Sequence, residues 1–265
     1  MTRNPGPEFW ALIHPHTGDP AGTRHTSRGD FSDLTTVVEC EKGPFFVKAM
    51  RNRPGGRYDS IIREKLINPF VQPICPALLW TAEDEEWIAL GFEVVDGRQP
   101  DIGPGSSDLP AIVDLLNQIG ELGLPEIARD WHETRWDRFT GDETEAELFR
   151  GDALLHADIN HTNLLIGERA WAVDWGWPTR GAAFIDPAML VIQFVAAGHS
   201  PRAAEAWAAN CEAWANADPE AIDAFAAAKT RMWWQLAWQR PDRPSRKALA
   251  EAAEAWANHR GVTVL

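Results

Sequence analysis

The stretch Leu154-Leu155-His156-Ala157-Asp158-Ile159-Asn160-His161-Thr162-Asn163-Leu164-Leu165-Ile166, closed by Val173-Asp174-Trp175, decides how this chain is read. It has the pattern of an apolar strand, a polar loop and a second apolar strand, with three oxygen-bearing side chains in order. Asp158 is suited to accept a proton from a hydroxyl, and Asn163 and Asp174 are hard oxygen donors of the kind Mg²⁺ prefers. Asp158 and Asn163, five residues apart, fall at the two ends of one short loop. The strand 164–166 and its return through 170–173 bring Asp174 back toward the same end. Polar side chains at the ends of apolar strands are where sites concentrate.

That combination has a chemical logic. Phosphoryl transfer is catalysed mainly by positioning and charge neutralisation, with a base beside the acceptor oxygen and metal ions on the β- and γ-phosphates. His156-x-Asp158-x4-Asn163, then ten residues, then Asp174 in an apolar turn resembles the aminoglycoside phosphotransferase group. Those enzymes share the protein-kinase-like fold with choline kinases and fructosamine kinases. Asp186-Pro187-Ala188 is similar to an Asp-Pro-Ala that follows the metal-binding Asp in that family. Phe45-Phe46-Val47-Lys48 and Leu90-Gly91-Phe92-Glu93 most resemble actinobacterial phosphotransferases of mostly unassigned substrate. Protein kinases differ: they carry His-Arg-Asp and Asp-Phe-Gly where this chain has His156-Ala157-Asp158 and Asp174-Trp175-Gly176, and their Ala-Pro-Glu segment is absent.

The resemblance implies a two-lobed α+β, protein-kinase-like fold with a small β-rich N-lobe and a larger, mostly helical C-lobe. The expected division is 1–95 for the nucleotide-binding lobe, 96–107 for a Gly/Pro/Ser-rich linker and 108–265 for the catalytic and acceptor-binding lobe. Leu34–Cys40 and Pro44–Met50 read as strands around the tight turn Glu41-Lys42-Gly43, and Trp87–Phe92 as another. Lys48, inside an apolar strand, takes by resemblance the role of the lysine that reaches the α/β-phosphates and pairs with a helix glutamate. Glu64, sixteen residues on in the expected helix Tyr58–Asn68, is its best partner, with Glu39 and Glu41 as rivals. Arg28-Gly29-Asp30-Phe31-Ser32-Asp33 occupies the place of the phosphate loop. Gly29 would permit close backbone approach and Ser32 would hold phosphate oxygens. A plain hairpin accounts equally well for that segment, and Asp30 and Asp33 are awkward beside phosphate. Glu93–Val95 corresponds to the hinge, so Glu93 and Val95 are candidates for adenine contact.

Composition bounds the rest. The chain has 265 residues, 45% hydrophobic and 24% charged, enough for one large domain or two lobes with a real core. The net charge of −14 argues against nucleic acid, which needs basic stripes, and suits a cationic substrate, although an acidic surface also simply aids solubility. The longest apolar run, 188–198, is 11 residues and interrupted by Gln193, too short to cross a bilayer. The polar, Pro/Gly-rich Met1–Trp10 is no secretory signal. Cys40, Cys75 and Cys211 have no metal-binding spacing, so reduced thiols in a cytoplasmic protein are the simple account. Fourteen Trp against one Tyr, many at helical spacing, point to core positions.

In the C-terminal half, Ser107 or Asp108 caps an expected helix with an Ile112/Leu115/Leu116/Ile119 stripe. Ile127–Phe139 reads as a second helix. Its Asp130, Glu133 and Asp137 would form either a wall attracting ammonium groups or a solvated acidic face. Ser200-Pro201 and Asp218-Pro219 are helix starts, and Ser245–Asn258 makes a last helix. His156 and Asp186 resemble residues that brace the catalytic loop, and His161 reads as an exposed loop residue.

The function expected is O-phosphorylation of a small-molecule hydroxyl by ATP, with GTP as the alternative donor, and Mg²⁺. Asp158 is the catalytic base, Asn163 and Asp174 the metal ligands, and the acceptor a small molecule such as a cationic antibiotic of the aminoglycoside or peptide type. The rivals are a nucleotide-binding scaffold without turnover and a metal-dependent hydrolase using His156, Asp158, His161 and Asp174. No nucleic-acid or membrane partner is expected, and oligomeric state is not encoded in any legible pattern.

Overall fold

The computed structural model describes residues 5–25 and 32–264. Two compact units emerge: residues up to Gly97 together with Val173–Trp177, and Arg98–Ala172 with the chain from Pro178 onward. The first is β-rich and the second mainly helical, the α+β organisation expected.

The first unit runs helix α1 (Pro7–Thr17), strands β1 (Pro20–His25), β2 (Leu34–Cys40) and β3 (Phe45–Arg51), helix α2 (Gly56–Ile67), then strands β4 (Leu78–Glu83) and β5 (Trp87–Phe92). Neighbouring strands pair antiparallel in the order β1-β2-β3-β5-β4. Strand side chains alternate between the two faces of a sheet, and here the alternation sorts the core. Val47, Ala49 and Ala89 pack with Phe9 and Ile13 of α1. Met50, Ile88 and Leu90 pack with Ile61 of α2. Lys48 falls by parity on the α2 side of β3.

Helix α1 corrects the reading of the N-terminus as merely polar and Pro/Gly-rich. Pro7 starts it, and Gly18, at φ 67°, ends it with its N–H on the His14 carbonyl. Phe9 and Ile13, one turn apart, are fully buried. Strand β4 was also unmarked in the sequence. Its Trp80 ring lies over Gly91 of β5, where a Cβ would come within 2.0 Å of the indole.

The second unit contains α3 (Leu109–Gly120), α4 (Glu143–Glu147), β6 (Ala153–Leu155), β7 (Leu164–Ile166), β8 (Ala170–Ala172), β9 (Thr179–Gly181), α5 (Ile185–Ala196), α6 (Pro201–Ala208), α7 (Glu212–Ala215), α8 (Pro219–Gln239) and α9 (Pro244–His259). Two small antiparallel ribbons, β6-β9 and β7-β8, frame the loop 156–163. The α3 stripe is buried as its spacing implies. Phe225 of α8 receives Trp136, Phe149 and Phe184 edge-on, with ring centroids 4.9–5.9 Å away. Ser200 and Asp218 cap their helices by accepting from Ala203 N–H and Glu220 N–H. Asp108 sits at the N-cap of α3 without making the cap bond. Its carboxylate instead takes both arms of Arg98, at 2.6 and 2.8 Å, and the Asp101 N–H.

The expected helix over 127–139 is absent. The segment forms two short 3₁₀ turns, Glu126–Ala128 and Asp137–Phe139. Between them the backbone pairs with β9: Arg180 N–H donates to Trp131 O at 2.7 Å and Glu133 N–H to Arg180 O at 2.8 Å. A tertiary bridge has taken the groups a helix would have used. Among the described residues no helix is long and apolar enough to cross a membrane.

The Gly91/Trp80 contact is testable. Gly91→Ala is expected to cost about 2–3 kcal/mol by overpacking, read as a lowered unfolding midpoint. Gly91→Ala combined with Trp80→Leu should cost less than the two single changes summed, because the smaller side chain vacates the space the new methyl needs.

Candidate functional site

In the first unit, β3 and α2 build a buried ion cluster. Lys48 Nζ lies 2.6 Å from Glu64 Oε2 and 2.5 Å from Asp174 Oδ1. The lysine and Glu64 are 8% and 6% exposed at their side chains, whereas Asp174 is 43% exposed. Burial alone would push the Lys48 ammonium down, but the two carboxylates push it up, above the ordinary lysine value. Burial pushes Glu64 up to about 7 against the pull of Lys48, and Asp174 adds to the rise. One ammonium faces two carboxylates, so Lys48 stays charged and the cluster carries surplus negative charge. The rival partners are engaged elsewhere: Glu39 lies 3.5 Å from Arg24 and Glu41 accepts from the Asp19 N–H. Asp174 is one of two non-glycine residues with positive φ among the described residues, at 63°.

The other nucleotide-site candidates fall as follows. Gly29, with Asp30, lies outside the described residues. Ser32 Oγ is buried and has no hydrogen-bond partner among the described residues. Asp33 is turned to protein groups, accepting from the Arg51 N–H at 2.8 Å and pairing with Arg57 at 3.0 Å. Glu93 extends the β4–β5 edge: its N–H donates to Ala77 O and its Oε1 accepts from the Ala77 N–H. Val95 is half-buried.

In the second unit, the 156–163 loop is organised from below by Asp186 in the first turn of α5. Its two carboxylate oxygens accept from His156 N–H and Ala157 N–H, each at 2.8 Å. Burial raises the Asp186 pKa, while the two N–H bonds oppose the rise. Ala157 is held at φ 61°, a conformation that costs a non-glycine residue free energy and persists where surroundings enforce it. Arg135 adds a third restraint, donating to Ala157 O at 3.1 Å. His156 is fully buried, and its Nδ1 accepts from the Asp158 N–H at 3.3 Å.

Asn163 Nδ2 donates to Asp158 Oδ2 and to Asp158 O, both at 3.0 Å. That fixes the carboxylate and turns the amide oxygen of Asn163 the other way. Asn160 closes the loop by accepting from Thr162 N–H and donating to Asp158 O. His161 is exposed on the 3₁₀ turn His161–Asn163. Asn163 in the second unit and Asp174 in the first are each a hard oxygen donor of the kind Mg²⁺ prefers. Among the described residues no three His, Cys, Asp or Glu side chains cluster to hold a metal by themselves, as a zinc site would need.

The acids of 127–139 are not the acceptor wall or the solvated face envisaged. Glu133 is 1% exposed and takes Arg135 through four bonds, the shortest 2.5 Å, and Thr179 Oγ1 at 2.8 Å. Asp137 Oδ2 pairs with Arg150 at 2.5 Å. Asp130 is exposed.

Two residues near the loop went unread in the sequence. Arg135 was one charge among many. Lys229 interrupts the α8 stripe Phe225–Lys229–Trp233 at four-residue steps, a polar residue on a buried face, and that was its available signal. It is 3% exposed. Its Nζ lies 5.2, 5.9 and 5.4 Å from the ring centroids of Trp136, Phe225 and Trp233. Burial, with the nearby Arg135 charge, pushes its pKa down to about 7, against the pull of Asp158 and Glu133.

No family model matches the chain, and no curated protein matches it. The fold does: solved structures of protein-kinase-like phosphotransferases superpose along its whole length, and the chain has that fold. One is choline kinase LicA from Streptococcus pneumoniae, with TM-score 0.65 and 11% identity over 95% of this chain and 98% of that one. Another is an aminoglycoside phosphotransferase from Alicyclobacillus acidocaldarius, with TM-score 0.61 and 13% identity over 98% and 96%. A microcompartment-associated aminopropanol kinase gives TM-score 0.62 and 16% identity over 96% and 98%.

Two measurements follow from the buried charges. Arg135→Met strands Glu133 and should cost about 3–5 kcal/mol. Arg135→Met with Glu133→Met should recover much of it, read from unfolding midpoints. Lys229, depressed to about 7 when folded against about 10.4 unfolded, binds fewer protons in the native state between those values. Its contribution to stability therefore rises with pH from about 7 to about 10. Lys229→Met should remove that rise and be at least as stable at pH 7.

Proposed function

We propose that the protein is a Mg²⁺- and ATP-dependent O-phosphotransferase acting on a hydroxyl of a small molecule. The observation that carries the reading is the buried Lys48–Glu64–Asp174 cluster, in the sequence context of the 156–163 loop. Lys48, fixed by Glu64, neutralises charge on the α/β-phosphates. Asp174 and Asn163 hold Mg²⁺, which supplies charge neutralisation at the phosphates when bound. Asp158, oriented by Asn163, takes the proton of the acceptor hydroxyl. Ser32, with its unpartnered buried Oγ, and Gly29 serve the phosphates, and the Glu93–Val95 segment serves the base. GTP is the alternative donor, because hinge contacts are made by backbone.

The resemblance to aminoglycoside phosphotransferases and choline kinases supports this class of chemistry. A cationic antibiotic as acceptor, inferred from family and net charge, gains no support from Glu133 and Asp137, which are paired with arginines. A cytoplasmic location rests on the three free cysteines. The scaffold reading is favoured by the irregular loop with Asp30 and Asp33, and Asp33 is engaged with Arg57 and the Arg51 N–H. A hydrolase built on His156 is disfavoured by the burial of that ring.

The test is mass spectrometry of pooled alcohols, sugars, nucleosides and antibiotics incubated with Mg·ATP. Wild type should add one phosphate to one compound class. Asp158→Asn should slow transfer about 10²–10⁴-fold with nucleotide binding retained, and Lys48→Ala should weaken nucleotide use. Transfer at wild-type rate by Asp158→Asn would sink the assignment.

A further inference from the structure

The second unit holds a cation that the phosphotransfer roles leave unused. Lys229 enters a cage of Trp136, Phe225 and Trp233, three rings whose faces attract positive charge. Among the described residues its ammonium makes no hydrogen bond or ion pair. An ammonium carries three donors, and those of Lys229 are left to water or to a ligand, since this nitrogen is not among the fully buried unpartnered atoms. The same cage holds a second orphan, for the indole N–H of Trp233 is buried without a partner among the described residues. A cation with no protein acceptor and an orphaned indole N–H in one cage leave room for an acceptor that the chain does not supply.

The cage adjoins the 156–158 turn. Trp136 also receives the Arg135 guanidinium, 4.9 Å from its centroid, and Arg135 donates to the carbonyl of Ala157, the residue before Asp158. Asp158 and Glu133 are the carboxylates whose charge reaches Lys229. Neither is at liberty: Glu133 is saturated by Arg135 and Thr179, and Asp158 is held by Asn163. Asp137 Oδ1 is buried and unpartnered, but Asp137 is not among the charges acting on Lys229.

We propose that Lys229 is a specificity residue that fixes the acceptor as an alcohol bearing an anionic group, a carboxylate or a phosphate, which completes the bonding of Lys229 and Trp233 while its hydroxyl meets Asp158. This rests on the phosphotransferase reading and narrows it. The rings that would embrace a substrate ammonium already embrace the protein's own. A cationic alcohol would place like charge against Lys229, whereas an anionic alcohol meets a preorganised counter-charge.

The experiment uses the full chain with Mg²⁺ and a non-hydrolysable ATP analogue. Four size-matched probes are titrated by calorimetry: glycerate, glycerol 3-phosphate, glycerol and 3-amino-1,2-propanediol. Wild type is expected to bind at least one anionic probe and not the amine. The stronger of the two anions identifies carboxylate or phosphate as the recognised group. Lys229→Met, which removes a buried charge without cutting a bond, should bind that anion at least about thirtyfold more weakly and admit the amine to the vacated cage. Three results overturn the proposal: no anionic probe bound by wild type, the amine bound as tightly as the anions, or unchanged anion affinity in Lys229→Met. The phosphotransferase reading fails separately, as absence of binding by the Mg²⁺ nucleotide analogue in the same wild-type sample.

Discussion

Asp186 gathers the N–H groups of His156 and Ala157 into one buried carboxylate, and the geometry of the whole 156–163 loop depends on that gathering. Two consecutive amides can point at one acceptor only if the backbone turns sharply between them. Here the turn puts Ala157 in the left-handed region, where a Cβ is unwelcome and tertiary restraint must compensate. Arg135 on the Ala157 carbonyl supplies restraint from the opposite side. With residue 157 fixed, Asp158 has no freedom but to emerge where Asn163 meets it, and Asn163 is itself set by the start of β7. The carboxylate proposed as the base is thereby positioned by its neighbours, as transfer chemistry dominated by orientation would require.

Much of this was legible because it is local or periodic. The alternation of β3 puts Lys48 on the face opposite Val47 and Ala49, and sixteen residues of strand, turn and helix return Glu64 to it. The order of Asp158, Asn163 and Asp174 along two short ribbons is a spacing. What sequence reasoning could not see is who neutralises whom. Glu133 and Arg135, two residues apart, look like surface charges on a helix. They are a buried pair because Arg180, nearly fifty residues on, captures the backbone at 131–133 in a β-bridge. Helix periodicity lost to a non-local hydrogen bond, a competition that propensity does not register. Likewise α1 hid behind its Pro and Gly, which mark the ends of a helix and not its absence.

A second left-handed residue, Asp174, stands in the other unit. Its carboxylate is drawn to Lys48, which Glu64 also holds. The surplus negative charge of that cluster has a physical consequence. Without a further cation, Glu64 is pushed toward protonation, with a pKa of about 7. Under the proposed function, a divalent ion on Asp174 would weaken that repulsion and free Lys48 for phosphate.

The overall charge of −14 invited the view that this protein collects cations, and the interior argues otherwise. Surface charge is screened within about 10 Å at ordinary ionic strength, while buried charge is screened far less. What a bound acceptor feels is therefore decided by the few ionised groups lining its path and not by the sum over the chain. In the second unit the buried acids are matched: Glu133 by Arg135, Asp186 by two backbone amides and the His156 ring it faces. Among the described residues of that unit, Lys229 is a buried cation to which no protein acceptor is bonded. Keeping an unpaired ammonium among aromatic rings costs stability, since those rings return only part of what hydration gave. Replacing it by methionine would pack at least as well, so packing does not account for its presence. A group that the fold would be better without is accounted for by what it binds.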